Sequence, residues 1–496
     1  MRLSLLLLFS GLLSAQSLKD FEKKVTEFTL PNGLHFLIIE RHEAPVLSFN
    51  TYANVGAVDD PTGRTGLAHM FEHMAFKGTD TIGTKNWPLE KKSLDAIEEV
   101  YDRLEAEQNK WFRADPKKIE ALENELKAAI EKADTYVEPN EYDRIVESNG
   151  GVGLNAGTGE DSTNYYYNFP SNRVELWFLL ESERFLHPVF REFYKERDVV
   201  REERRMRVES SPQGELIEAL VSTAFAAHPY KNMPGGWASD IETFRRTDAE
   251  AFYKKYYTPG NLTMAIAGDI DPAEAKRLAF KYFARLPKGA APPMVHTVEP
   301  SQEGEKRAAV ASPAQPFLAV AYKRPDQYSK DDAALDVLSD LLSDGRTGIF
   351  YKELVRDKKI ALGAETDATF PGGKYPNLFI LFYIPNAGHT VQEGEKEMYA
   401  ILDRMKKQKI DEESLKRVKT KLRASLIRKL DNNAGLASEL ASYSANFGDW
   451  RKLFTELDDY EKVTAEDVQR VAQTYLIEKS RTVAYTFVPK EEGAAK

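Results

Sequence analysis

The sequence predicts an α+β protein of two similar domains, each an antiparallel or mixed β-sheet with helices packed on one side. Three observations lead there. Short alternating runs typical of strands open the chain and give way to stretches with helical apolar spacing. Near the middle, Leu286-Pro287-Lys288-Gly289-Ala290-Ala291-Pro292-Pro293 interrupts all periodicity, as a linker does. The plan then repeats, and Thr464 to Val488 echoes Thr247 to Gly268 as capping box, helix and strand. The predicted division is a signal segment at 1–15, a first domain at 18–285 with a helical insertion at 89–136, a linker at 286–300 and a second domain at 301–490.

Arg2, the apolar run from Leu3 to Phe9 and the small residues ending at Ala15 have the form of a cleavable export signal. The mature chain is therefore expected to be exported, to a periplasm or beyond the cell. No later stretch is apolar for long enough to span a bilayer, so no stable membrane insertion is expected. The formal net charge of −10 lacks the basic excess that phosphate binding requires, which disfavours a nucleic-acid partner. With no cysteine, disulfides and thiolate ligands are excluded, and any metal must be held by His, Asp or Glu.

Val25 to Leu30 reads as a strand, Pro31-Asn32-Gly33 as a tight turn, and Leu34 to Glu40 as the partner strand. Val46 to Ala53 is a third strand, and the loop from Gly56 to Gly63 delivers the chain to a helix. In that loop Arg64 is structural or substrate-facing, with structure taking the larger share. Leu89 to Tyr136 carries dense charge on two helical repeats divided by Asp115-Pro116, where Asp can cap and Pro can start a helix. This predicts a helical hairpin whose charge is a solvated face, or else a lid or docking arm. Asn149 to Thr158 is glycine-rich and runs into Ser162 to Phe169, either as an ordinary turn before a strand or as an uncovered edge open to strand addition. Thr247-Asp248-Ala249-Glu250 is read as a capping box opening a helix, and Leu262 to Gly268 as a strand. In the second half Phe317 to Tyr322, Tyr375 to Ile384 and Arg481 to Val488 read as strands, and Asp331 to Ser343 as a helix.

The chemistry concentrates in Gly66-Leu67-Ala68-His69-Met70-Phe71-Glu72-His73-Met74. Residues four apart on a helix share a face, so His69 and His73 can present imidazole nitrogens to one point. A hydrolytic zinc site takes three protein ligands and leaves one position open. Glu72, next to His73, is close enough to exchange a proton with a water there without being a ligand. A third ligand is still needed, and without cysteine a carboxylate is the natural donor. On the later helix Glu196 and Glu203 are two turns apart and share a face, and Glu203 is the candidate.

The H-x-x-E-H motif, the G-G-x-x-N-A-x-T-like stretch ending at Asn155-Ala156-Gly157-Thr158, and E-R-x-V-V-x-x-E at Glu196 to Glu203 together resemble the pitrilysin, or insulinase, family of zinc peptidases, also called M16 or inverzincins. The mitochondrial and bacterial processing peptidases are similar. The resemblance implies one Zn²⁺ per chain on His69, His73 and Glu203, with Glu72 as proton carrier and Glu196 as a supporting acid of the catalytic set. It places Asn155 and Ala156 on the edge strand that holds substrate, and it implies a clamshell whose chamber admits peptides or unfolded segments. His228-Pro229-Tyr230, Pro234-Gly235-Gly236-Trp237 and Asp240-Ile241 look like further family landmarks.

Two departures stand out. His73 and Glu203 lie further apart in the chain than in the family pattern, by about the length of the inserted hairpin. The family pattern L-R-E-K-x-G-L-A-Y, which supplies a substrate-binding arginine and tyrosine from the second domain, meets Leu354 to Gly363 here. Arg356 fits, but the tyrosine position holds Leu362 or Gly363. The expected activity is zinc-dependent endopeptidase. The alternatives are a zinc-bearing subunit active only with a related partner that supplies the Arg/Tyr pair, or a non-catalytic peptide-binding subunit; the expected assembly is with a related subunit or as a homodimer. The helix matching the metal helix in the second half carries Asp336, Ser339 and Asp340 but no histidine, so only the first half should bind zinc.

Overall fold

A computed structural model describes residues 21–489. The signal segment expected at 1–15 lies outside the described residues. The chain opens with the antiparallel hairpin β1 (Val25–Thr29) and β2 (His35–Glu40), closed by Gly33 at φ +104°, a backbone region that favours glycine. β3 (Val46–Ala53), β4 (Val152–Thr158), β5 (Thr163–Pro170) and β6 (Leu262–Gly268) complete a six-stranded sheet in the order β1-β2-β6-β3-β5-β4. Among the described residues of this sheet only β2 and β6 pair in parallel.

The second half builds a five-stranded sheet from β7 (Lys306–Ala311), β8 (Leu318–Arg324), β9 (Ala361–Phe370), β10 (Asn377–Pro385) and β11 (Arg481–Phe487). Its order, β7-β11-β8-β10-β9, reproduces the first sheet without β1: one parallel pair followed by three antiparallel pairs. β4 and β9 are thus corresponding edge strands. The duplication expected from the sequence is real, although β7, β9 and the short helix Glu141–Ser148 had no clear signal in the sequence.

Each sheet carries its own helices on one face, and the opposite face is covered from the other half of the chain. Strand alternation sends Phe36 and Ile38 of β2 into the core of the first half, while Leu37 and Ile39 point the other way. These meet Leu436, Leu440 and Ala441 of the helix Asn433–Phe447, which belongs to the second half. Reciprocally, Leu216, Leu220 and Ala224 of the first-half helix Pro212–Ala224 pack on Ala319, Ala321, Ile380 and Ala484 of the second sheet. A polar latch reinforces the exchange. The Asp161 carboxylate, in the β4–β5 turn, accepts from the Tyr230 hydroxyl at 2.7 Å and from the backbone N–H groups of Gly373 and Lys374 at 2.8 and 3.0 Å.

The expected hairpin is formed by the helices Trp87–Gln108 and Pro116–Asp134, capped by the Asn86 and Asp115 side chains. Its charge is more than a solvated face. Glu90 is buried against Arg191 at 2.7 Å, and Glu98 accepts from the Tyr194 hydroxyl at 2.9 Å, so buried carboxylates fasten the hairpin to the domain. The capping box read at Thr247 to Glu250 sits two residues earlier: Asp248 accepts from the Arg245 N–H at 2.9 Å, because the helix Arg246–Tyr256 begins there. Thr464 and Asp467 do form the box expected of them. Arg64 pairs with Asp248 at 2.9 Å and is structural.

Candidate metal centre

The motif helix spans Leu67–Met74 and begins at Gly66, φ +92°, where the chain passes against Gly236. A β-carbon on Gly236 would come within 2.0 Å of the Thr65 carbonyl oxygen, so the crossing requires glycine there. The helix entry is fixed by Asp60, whose carboxylate accepts from the N–H groups of Gly66 and Ala68 at 2.7 and 2.8 Å. Leu67, Ala68, Met70, Phe71 and Met74 are buried, which turns His69, Glu72 and His73 toward the remaining open side.

There the Nε2 atoms of His69 and His73 stand 3.3 Å apart, and the Glu203 Oε2 lies 3.7 and 3.4 Å from them. These three residues are the one convergent group of metal-ligating side chains among the described residues. Burial and the neighbouring His73 pull the His69 pKa down to about 4, so this imidazole is neutral and keeps a lone pair to offer. For His73 burial acts downward, but the hydrogen bonds it donates to the Glu196 and Glu203 carboxylates outweigh it and lift the value to about 9. Two ring nitrogens and a carboxylate oxygen crowded into one pocket are a donor set that a divalent cation satisfies better than a shared proton. The residues fit zinc.

Glu196 and Glu203 both come from the helix Phe193–Arg204. Glu196 Oε1 binds His73 Nδ1 at 2.8 Å and its other oxygen takes the Lys77 ammonium at 2.7 Å, an outer layer that orients the imidazole. These cationic partners hold the Glu196 carboxyl down at about 2 despite burial. Glu203 turns its second oxygen to Arg207 at 2.7 Å; beyond it the chain widens into a π-helical turn, Arg205–Glu209. Glu72 accepts a 2.5 Å hydrogen bond from the Thr158 hydroxyl. Burial raises its pKa while Thr158 works against the rise, which brings the carboxyl closer to a proton-transfer range.

A cleft runs over this group. It is lined by His69, Glu72, His73 and Phe76 from the motif helix and its end, Asn155 to Thr158 from β4, Glu203, Arg204, Arg207 and Val208, and Met233 to Gly235. Among the described residues β4 pairs only with β5, so its other edge is uncovered beside the candidate ligands; on this strand the Asn155 side-chain oxygen takes the Ala156 N–H at 2.8 Å. Arg356 is not brought here. It lies on a π-helical turn, exposed, with its guanidinium on the neighbouring Asp357 at 2.6 Å. Leu362 and Gly363 sit on the edge strand β9. In the second half Ser339 bonds to Thr366 and Asp336 to Tyr460, which uses the corresponding helix for packing. Sequence reasoning gave no role to Thr158, Lys77 or Arg207. The last two carried a signal, each standing one helical turn beyond a ligand.

Known proteins resemble this chain along most of its length. Residues 36–99 and 126–234 match the model described as Insulinase (Peptidase family M16), and residues 243–422 match Peptidase M16 inactive domain. Residues 100–125, the outer part of the hairpin, fall between the matched segments. The Helicobacter pylori zinc protease PqqE is 28% identical over 479 residues, covering 94% of both chains. An uncharacterized zinc protease of Bacillus subtilis, YmxG, is 19% identical over 460 residues, 92% of this chain and 96% of that one. Among solved structures, a protease from Helicobacter pylori superimposes with a TM-score of 0.78 at 26% identity, over 94% of this chain and 99% of the other. The periplasmic protease PqqL of Escherichia coli gives 0.69 at 18% identity, with 94% of this chain matching 48% of that one.

Proposed function

The chain belongs to the insulinase family of peptidases, M16, and from that membership we propose that it is a zinc-dependent endopeptidase acting on peptides or unfolded polypeptide segments. The observation that carries the proposal is the meeting of His69 Nε2, His73 Nε2 and Glu203 Oε2 within 3.3–3.7 Å beside an uncovered strand edge. His69, His73 and Glu203 would hold the metal, which when bound supplies Lewis acidity toward a peptide carbonyl and water. Glu72 receives a proton from the attacking water and returns it to the leaving amine. Thr158 fixes which Glu72 oxygen is free for that exchange. Glu196 and Lys77 hold His73 in the tautomer whose Nε2 faces the site. The β4 edge at Asn155 and Ala156 aligns substrate backbone by strand addition, which gives broad side-chain tolerance. We assign the first domain to 18–285 and the second to 301–490, and we propose export directed by residues 1–15, to the periplasm or beyond.

A second reading is favoured by Arg356. Its side chain pairs with Asp357 and does not line the cleft, and the position that the family pattern gives to tyrosine holds Leu362 or Gly363. On that reading this chain is the zinc-bearing member of a pair, and a related subunit, or a second copy, completes the substrate site. One experiment separates the possibilities: metal content and peptide hydrolysis of wild type and Glu72→Gln, each alone and mixed with a related family member from the same source. About one zinc per chain in both proteins, with turnover in wild type only, supports the peptidase. Turnover only in the mixture supports the two-subunit enzyme. Equal behaviour of wild type and Glu72→Gln in every mixture overturns catalysis and leaves a peptide-binding subunit.

A further inference from the structure

The hairpin Trp87–Gln108 and Pro116–Asp134 ends in a single 3-10 turn, Trp111–Arg113. Trp111 is 85% and Phe112 88% exposed, more than any other large apolar side chain among the described residues. This is no frayed loop. Glu107, only 1% exposed, gathers the Asp115 N–H at 3.1 Å and the ammonium groups of Lys110 and Lys118 at 2.7 Å each. Trp111 itself is held at φ +57°, a left-handed conformation that costs a bulky residue energy unless its surroundings enforce it. The fold therefore spends strain and a buried carboxylate on a turn that points two aromatic rings into solvent.

Lys110 and Arg113 flank the aromatic pair in the sequence, and Lys117 and Lys118 lie in the first turn of the second helix, on a chain whose net charge is −10. The carboxylates within the turn are already engaged, Glu107 as described and Asp115 in capping the Lys117 N–H at 3.0 Å. The Arg113 guanidinium lies 5.8 Å from the Phe112 ring centre. Exposed aromatic rings with Arg113 beside one of them and Lys117 at the start of the next helix match the boundary between acyl chains and anionic headgroups. Size argues against a protein partner: two aromatic side chains bury about 400 Å², roughly half of what one side of a standard protein interface needs, whereas a deformable lipid surface requires no matching shape. The family model passes over residues 100–125, so the peptidase pattern does not require this tip.

We propose that the hairpin tip is a membrane-surface anchor, with Trp111 and Phe112 entering the headgroup region of an anionic lipid bilayer and Arg113 and Lys117 binding its phosphates. The anchor is peripheral, and it does not rest on the peptidase reading. The test uses the purified full chain with vesicles of phosphatidylglycerol and phosphatidylcholine, against vesicles of phosphatidylcholine alone. Trp111 is the one fully exposed tryptophan among the described residues, so its entry into lipid reads out as a blue shift of emission. Wild type should co-sediment with the anionic vesicles, less so at high salt, and show the shift. Trp111→Ala with Phe112→Ala should weaken binding by about tenfold or more. Arg113→Gln and Lys117→Gln should each weaken it by about fivefold on anionic vesicles only. Unchanged circular dichroism and melting temperature confirm that the variants are folded. Absence of wild-type binding, equal binding to neutral vesicles, or full binding by the aromatic double variant overturns the proposal, as does a tip that captures another protein while ignoring lipid.

Discussion

The Thr158 hydroxyl donates to Glu72 Oε2 at 2.5 Å, tying the edge strand of the sheet to the proposed proton carrier on the motif helix. Two parts of the site far apart in the chain are thereby set in one register. Burial raises the Glu72 pKa and the Thr158 bond lowers it again. In Thr158→Val the opposing contribution disappears, so the pKa rises and the acidic limb of kcat/KM moves to higher pH. A lost hydrogen bond to a carboxylate is worth roughly a tenfold to hundredfold fall in kcat/KM, with zinc content unchanged. A pH–rate profile of the variant, alongside metal analysis, checks both.

Glu196 contacts His73 and Lys77, so in the proposed site it would act through them rather than on a substrate. In Glu196→Gln the Nδ1 partner weakens and the Lys77 ammonium loses its counter-charge. Zinc affinity should fall by about tenfold to hundredfold. Chelator competition measures it, and restoration of turnover by excess zinc distinguishes a positioning role from direct participation.

The sequence made the local parts of this site readable and left its long-range ties hidden. His69 and His73 follow from the pitch of one helix, and Glu196 and Glu203 from two turns of another, because periodicity is a property of consecutive residues. Nothing local says that Thr158 meets Glu72, or that Asp161 meets Tyr230 and Gly373. The apolar stripes at Leu216 and Leu220, and at Leu436 and Leu440, predict burial but not that each helix crosses to the other half's sheet. The helix Arg246–Tyr256 shows a smaller version of the same limit: Thr247 and Glu250 satisfy a capping pattern, but the chain enters from Arg245 and Asp248 closes there.

Gly236 tests how closely the motif helix depends on its entry. Any β-carbon there meets the Thr65 carbonyl oxygen at 2.0 Å, and φ of +63° adds strain. Gly236→Ala should cost about 2 kcal/mol or more of stability and displace the start of the motif helix. Thermal melting and zinc content should fall together, whereas Gly235→Ala, with open space around its position, should change neither.

The latch at Asp161 joins the two halves by accepting from Tyr230, Gly373 and Lys374. Asp161→Ala leaves those donors without their acceptor in a part-buried place. A cost of about 3 kcal/mol is expected. Because the two exchanged helices still join the halves, the loss should appear as a lower melting temperature and a larger radius of gyration by X-ray scattering, not as separation.

Glu160, next to the latch, gives the fold a pH dependence of predictable sign. Burial pushes its carboxyl up to about 8 in the folded chain, against an ordinary value near 4.5 when unfolded. Between these values the folded state holds the proton and the unfolded state does not, so stability falls as pH rises across that window. Above it both states are ionised, and the folded chain carries a constant penalty of the order of 2 kcal/mol after allowance for local relaxation. Glu160→Gln removes the titration while keeping a neutral side chain of the same shape. Its melting temperature should match wild type near pH 5 and exceed it near pH 8, and denaturation of both proteins across that range measures the difference. Parallel curves would show that Glu160 ionises in the folded chain at its ordinary pKa.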